Sequence, residues 1–128
     1  MKKEIIIRLN KTFEESAYTQ NGVEYWMARD IQKLLDYTDW RNFLLVVDKA
    51  KIACSKSGQS IADHFVDVNK MVQLGSGSQR EIEDIMLTRY ACYLIAQNGD
   101  PRKEQIAFAQ SYFAIQTRKQ ELLEERIA

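Results

Sequence analysis

Residues 28–55 read ARDIQKLLDYTDWRNFLLVVDKAKIACS, and the polar break in their middle decides the fold. Before it, Ile31, Leu34 and Leu35 share one face of a short helix, Ala28 to Leu35. After it, Trp40, Phe43, Leu44, Val47, Ala50 and Cys54 recur at close to the helical period. A second helix therefore runs from Trp40 to about Ser55. Asp36 to Asp39 is the turn between them, and Thr38 or Asp39 is placed to cap the second helix. Ser57-Gly58-Gln59-Ser60 ends it.

Downstream, Lys70 to Leu74 and Glu81 to Leu87 are two short apolar arms around Gly75-Ser76-Gly77-Ser78-Gln79. A five-residue Gly-containing loop between such arms predicts a β-hairpin. Ile82 and Ile85 do not alternate strictly, which leaves a bulge or a helical second arm open. Thr88 is placed to cap a helix over Arg89 to Gln97. Asn98-Gly99-Asp100-Pro101 then reads as a stop and a start. Gly99 is suited to a left-handed helix end, Asp100 to capping, and Pro101 to the first turn of a last helix that runs to about Ile127. On that helix Ile106, Ala109 and Phe113 form one apolar line, and Phe108, Tyr112 and Ile115 a second. Upstream, Asn21-Gly22 marks a turn and Val23 to Met27 suits a short strand. Lys2 to Ser16 stays ambiguous: Ile5, Leu9 and Phe13 have helical spacing, while Ile5-Ile6-Ile7 is β-branched. The pattern is an α+β domain, mainly helical with a small β-hairpin, in the order of a winged helix-turn-helix.

At 128 residues, with 45% hydrophobic and 28% charged, the chain has the size of one domain (1–128) and the means to build a core. Eighteen basic residues balance 18 acidic ones, so nucleic-acid binding has to rest on local charge. Cys54 and Cys92 lie on apolar helical stripes and read as buried, unbonded thiols of a reducing cytoplasm. With one histidine and no CxxC, neither a metal site nor another cofactor is expected. Ile5 to Ile7 is too short for a signal peptide, and no stretch is long enough to span a membrane. Beyond Gln116 the apolar residues are Leu122, Leu123 and Ile127. They mark residues 101–128 as a helix leading towards a further region of a longer protein, and as an element for docking or homo-oligomer assembly.

The constellation that bears on function is the helix pair with the hairpin. As a winged module, Trp40 to Ser55 is the reading helix and the hairpin is the wing. Arg41 and Asn42 are the early exposed residues, of types that pair with guanine and adenine. Lys49, Lys51 and Lys56 continue the basic side, opposed by Asp48 alone, and Arg80 at the wing suits a phosphate. Leu45, Val46 and Ile52 lie off the apolar stripe and suggest burial on two sides, or a protein interface instead of a groove. No arrangement for catalysis is evident. His64, in Asp63-His64-Phe65, reads as the anchor of a helix or strand start. Glu14-Glu15, Glu81-Glu83-Asp84 and Glu121-Glu124-Glu125 read as solvated faces. Tyr90, Tyr93, Tyr112 and Phe113 are of types that stack bases, but such a face is more often core.

Glu24 to Asp30, Leu34 to Tyr37, Trp40 to Phe43, Lys49 to Cys54 and above all residues 87–101, LTRYACYLIAQNGDP, carry a resemblance. It continues through Gln110 to Glu121. The chain resembles the DNA-damage-inducible protein D family and, through it, the BRO-N group of phage antirepressors. The resemblance implies a bacterial, cytoplasmic, non-enzymatic regulator of the DNA-damage (SOS) response. DNA is the implied partner, or alternatively a protein such as a recombinase or repressor. It implies no base-contacting residue.

Overall fold

A computed structural model describes residues 2–127. The side chains of Ile5, Ile6 and Ile127, which the sequence places on apolar stripes, lie outside the described residues. The elements in chain order are α1 (Lys2–Glu15), β1 (Tyr18–Gln20), β2 (Val23–Met27), α2 (Ala28–Leu34), α3 (Trp40–Lys56), α4 (Ile61–His64), β3 (Phe65–Gln73), β4 (Gln79–Leu87), α5 (Arg89–Asn98) and α6 (Glu104–Ile127). The domain is α+β and mainly helical, as the patterning predicts. The ambiguous first segment is helix.

The hairpin is not an isolated one. β2 pairs with β4 through Trp26–Leu87 and Met27–Met86, which joins two hairpins into an antiparallel sheet of order β1-β2-β4-β3. Asn21 and Gly22 both have positive φ and turn the first hairpin, matching the twist of its strands. In the second hairpin nine residue pairs run in unbroken register from Phe65–Leu87 to Gln73–Gln79, so the second arm has neither a bulge nor a helix. The first arm begins five residues earlier than the apolar run at Lys70, at Phe65, and Val66-Asp67-Val68-Asn69 already alternates with period two.

The helix ends follow from local chemistry. Asp39 caps α3 by accepting from the Arg41 N–H at 2.8 Å, and Thr88 caps α5 by accepting from Ala91 at 3.2 Å. α2 and α3 both end with a residue in the left-handed region, Asp36 and Gly58. There Tyr37 donates to the Gln32 carbonyl and Gln59 to that of Cys54, closing two Schellman motifs. α2 has no cap of its own at Met27; Asp84 of β4 supplies one, its Oδ1 accepting from the Arg29 N–H at 3.1 Å. Asp84 is thus 1% exposed and not part of a solvated acidic face.

The core joins α1, α2, α3, α5 and α6 to the inner sheet face. Cys54 and Cys92 are free and buried within it, and burial pushes the Cys92 thiol up. At its centre Phe13 stacks on the fully buried Trp26, with ring centroids 4.6 Å apart, and Trp26 Nε1 donates to the Phe13 carbonyl at 2.8 Å. The Arg89 guanidinium lies 5.0 Å over Trp26. It donates to both Glu14 oxygens at 2.7 and 2.8 Å and to Glu24 at 2.9 Å. Tyr112 donates to the same Glu14 carboxylate. One fork therefore ties α1, β2 and α5 together, and Tyr112 brings in α6. Glu14 too was read as solvated, and its carboxylate is committed to this network.

Arg89 holds the Glu14 carboxyl below its ordinary value of 4.5, while burial, then the bond to Glu14, pushes Tyr112 up to about 12. A depressed carboxyl contributes stability that is present above pH 4.5 and is lost as pH falls through its lowered value. A raised phenol contributes stability that is present below pH 10 and lost as pH climbs towards about 12. Urea unfolding across pH tests this: Glu14→Gln should flatten the loss of stability on acidification. An acid limb identical to that of the parent protein would contradict it.

Candidate nucleic-acid interface

α3 packs along α5 by burying Phe43, Val47, Ala50 and Cys54. That contact leaves the opposite arc to solvent. At about 100° per residue, Arg41, Asn42, Leu45, Lys49, Ile52 and Lys56 fall within about a third of the helix circumference, and all six are exposed. The structure thus brings together four of the six basic or amide residues singled out from the sequence. It does so because Asn42, Lys49 and Lys56 recur every seven residues, close to two helical turns, with Arg41 beside the first. Leu45 and Ile52, 62% and 57% exposed, sit among them, whereas Val46 is buried.

The other two lie elsewhere. Lys51 is half-buried on the flank of α3 that faces the β3–β4 ribbon, in a groove shared with Asp48, Asp67 and Glu83. The ribbon is held there by Glu83, whose Oε1 accepts from Trp40 Nε1 at 2.8 Å and whose carbonyl accepts from Arg29 at 2.8 Å. Arg29 in turn stacks 4.2 Å over the Trp40 ring. This flank of α3 is carboxylate-rich. Arg80 is exposed near the ribbon tip, opposite Val72, on the sheet face away from Glu83.

Sequence reading missed the second wall of the basic side. Asn42, Lys49, Asn98, Arg102 and Lys103 line one groove between α3 and the segment joining α5 to α6. That segment is a turn and not the first turn of a helix: α6 begins at Glu104, and Asp100 accepts from the Arg102 N–H at 3.0 Å. Arg102 is paired with Asp100 at 2.8 Å, and Lys103 donates to the Asp36 carbonyl at 3.1 Å and lies 4.9 Å from the Tyr37 ring. The available signal was Asp-Pro-Arg-Lys directly after a helix stop, two cations on a tight turn.

Gly99 is not left-handed; its φ is −79°. Its role is close approach, because a Cβ there would lie 2.6 Å from Cδ1 of the fully buried Ile106. This contact brings the turn against α3. His64, by contrast, anchors as expected: its Nδ1 lies 2.7 Å from Thr88 Oγ1, at the start of α5. Among the described residues no group of three His, Cys, Asp or Glu side chains is placed to hold a metal, and no helix is long and apolar enough to cross a membrane.

The family model for the BRO family, N-terminal domain, matches residues 15–114, from the end of α1 into α6. The chain belongs to the BRO family. This BRO domain is 50% identical over 117 residues to DNA damage-inducible protein D of Escherichia coli (strain K12). That alignment covers 91% of the chain and 43% of the relative, so the chain spans less than half the length of that protein. No solved structure matches it.

Gly99→Ala should destabilise the BRO domain by about 1–3 kcal/mol through overpacking. Gly75→Ala, at a position with open space around it, should cost under about 0.5 kcal/mol. Chemical denaturation of both variants is the check, and equal effects would remove the close-approach account.

Proposed function

We propose that this domain is a non-enzymatic, cytoplasmic regulator that binds double-stranded DNA and acts in the response to DNA damage. The observation that carries the reading is the exposed arc of α3, where Arg41, Asn42, Lys49 and Lys56 share one face of a capped helix. Arg102 and Lys103 stand across a groove from it. In this reading Arg41 and Asn42, at the first turn, meet base edges, while Lys49, Lys56 and Arg102 meet phosphates. Capping by Asp39 and packing on α5 hold the helix rigid, so little ordering is needed on binding. The order α2, turn, α3 and, after the short α4, the ribbon resembles that of a winged helix-turn-helix, with Arg80 at the ribbon as a further phosphate contact. Membership in the BRO family and similarity to a protein whose name records induction by DNA damage support the same reading.

The second reading is a protein-interaction module modulating a recombinase or repressor. Leu45 and Ile52 favour it, since two large apolar side chains more than half exposed on the same arc suit a protein partner.

Gel-shift titration of the domain with duplex DNA at low and moderate salt separates the two. Arg41→Ala and Asn42→Ala should lower affinity for a preferred sequence by roughly 1–3 kcal/mol per base contact. Lys49→Ala and Arg102→Ala should weaken binding to every duplex alike and flatten its salt dependence. Lys51→Ala, in the carboxylate groove, should leave affinity unchanged. Absence of any shift at low salt rejects DNA binding by this domain, and loss of partner binding in Leu45→Ala then supports the protein reading.

A further inference from the structure

The β3–β4 ribbon has its polarity inverted. Residues paired directly in an antiparallel ladder share a face, and the faces alternate along each strand. The face that begins with the buried Phe65 and Leu87 continues through Asp67, Asn69, Glu81 and Glu83 and beyond Ile85 is polar apart from Met71. The opposite face carries Val66, Val68, Val72, Ile82 and Met86, with the buried Asp84 opposite Val68 and with Lys70 and Arg80 towards the tip. Through Met27–Met86 and Tyr18–Tyr25 it runs on into Met27, Tyr25, Val23 and Tyr18 of the first hairpin. A one-sided antiparallel sheet places its apolar residues towards the core and its polar residues towards solvent. Here the outward face is the apolar one. Val23 is 64% exposed and Val66 and Tyr18 are each 45% exposed.

The exposed charges on this outer face are divided between its ends. Lys70 and Arg80 stand near the ribbon tip, both exposed. Asp63, also exposed, borders the hollow at the other end, which Val23, Tyr25, Val66 and Met86 line. Cations at one end, an exposed carboxylate at the other and a mainly apolar strip between them, with Asp84 buried within it, form a self-complementary surface. A two-fold axis through the strip sets the Lys70 end of one copy against the Asp63 end of the other. We propose that the outer sheet face is a homodimer interface, in which two copies of this chain pack face to face and antiparallel. Aligned sheet packing brings two such faces about 10 Å apart with their side chains interdigitated. The proposal goes beyond the DNA-binding reading, because the exposed arc of α3 takes no part in it and, of the proposed DNA contacts, Arg80 alone lies on this face.

Sedimentation velocity of the protein from about 1 to about 100 micromolar tests it. The expected result is a monomer–dimer equilibrium. Val68→Glu, which puts a carboxylate into the strip of both copies, should weaken it more than about a hundredfold. Lys70→Glu should weaken it about tenfold, and adding Asp63→Lys should restore it, since both end contacts are then reversed in sign. Leu123→Glu, on the exposed part of α6, should leave the dimer intact. Circular dichroism confirms folding; should Val68→Glu not fold, the fully exposed charge pair carries the test alone. A monomer at every concentration overturns the proposal. So does a dimer indifferent to Lys70→Glu and Val68→Glu, or one lost in Leu123→Glu.

Discussion

The Arg89 fork over the Phe13–Trp26 stack is the constraint on which the rest of this structure depends. Trp26 is fully buried in a short strand, and its indole N–H is satisfied by the Phe13 carbonyl. Arg89 covers the ring and closes bidentately on Glu14. A guanidinium serves here where an ammonium would not, because its planar donors meet two carboxylates while its face lies on an aromatic ring. The network fixes α1, β2, α5 and α6 relative to one another. With α5 fixed, α3 has a surface to pack on, and the direction of its exposed arc follows.

That direction gives α3 two flanks of opposite character. On one side Trp40 is held to Glu83 of the ribbon, and the groove there is rich in carboxylates. On the other side Asn42 and Lys49 face the Asp100–Lys103 turn, brought close by the absence of a side chain at Gly99. A neutral chain can present a cationic surface only by sorting its charges in this way. The same sorting recurs on the outer sheet face, with cations near the ribbon tip and a carboxylate at the far end.

Periodicity made most of the fold legible in the sequence. α2, α3 and α5, the caps of α3 and α5 and the second hairpin follow from apolar spacing and from the chemistry of Asp39, Gly58 and Thr88. What was not legible depended on contacts distant in sequence. Nothing local says that β2 pairs with β4, or that Asp84 caps a helix 55 residues away. Glu14 looked solvated because its partner lies 75 residues on. Gly99 looked like a left-handed stop because the contact that excludes a Cβ comes from Ile106 in the next helix. The exposed arc of α3 was readable, since it is what remains after the buried stripe is removed. Its partner turn, with Arg102 and Lys103, was not.

The most direct test of the account is an NMR titration of the domain with a DNA duplex at low salt, followed through the backbone amides. Shifts confined to residues 39–56 and 98–103 and to Arg80 at the ribbon, reversed by added salt, are the predicted result. Shifts centred on the outer sheet face, or none at all, would contradict the assignment of α3 as the DNA-binding element.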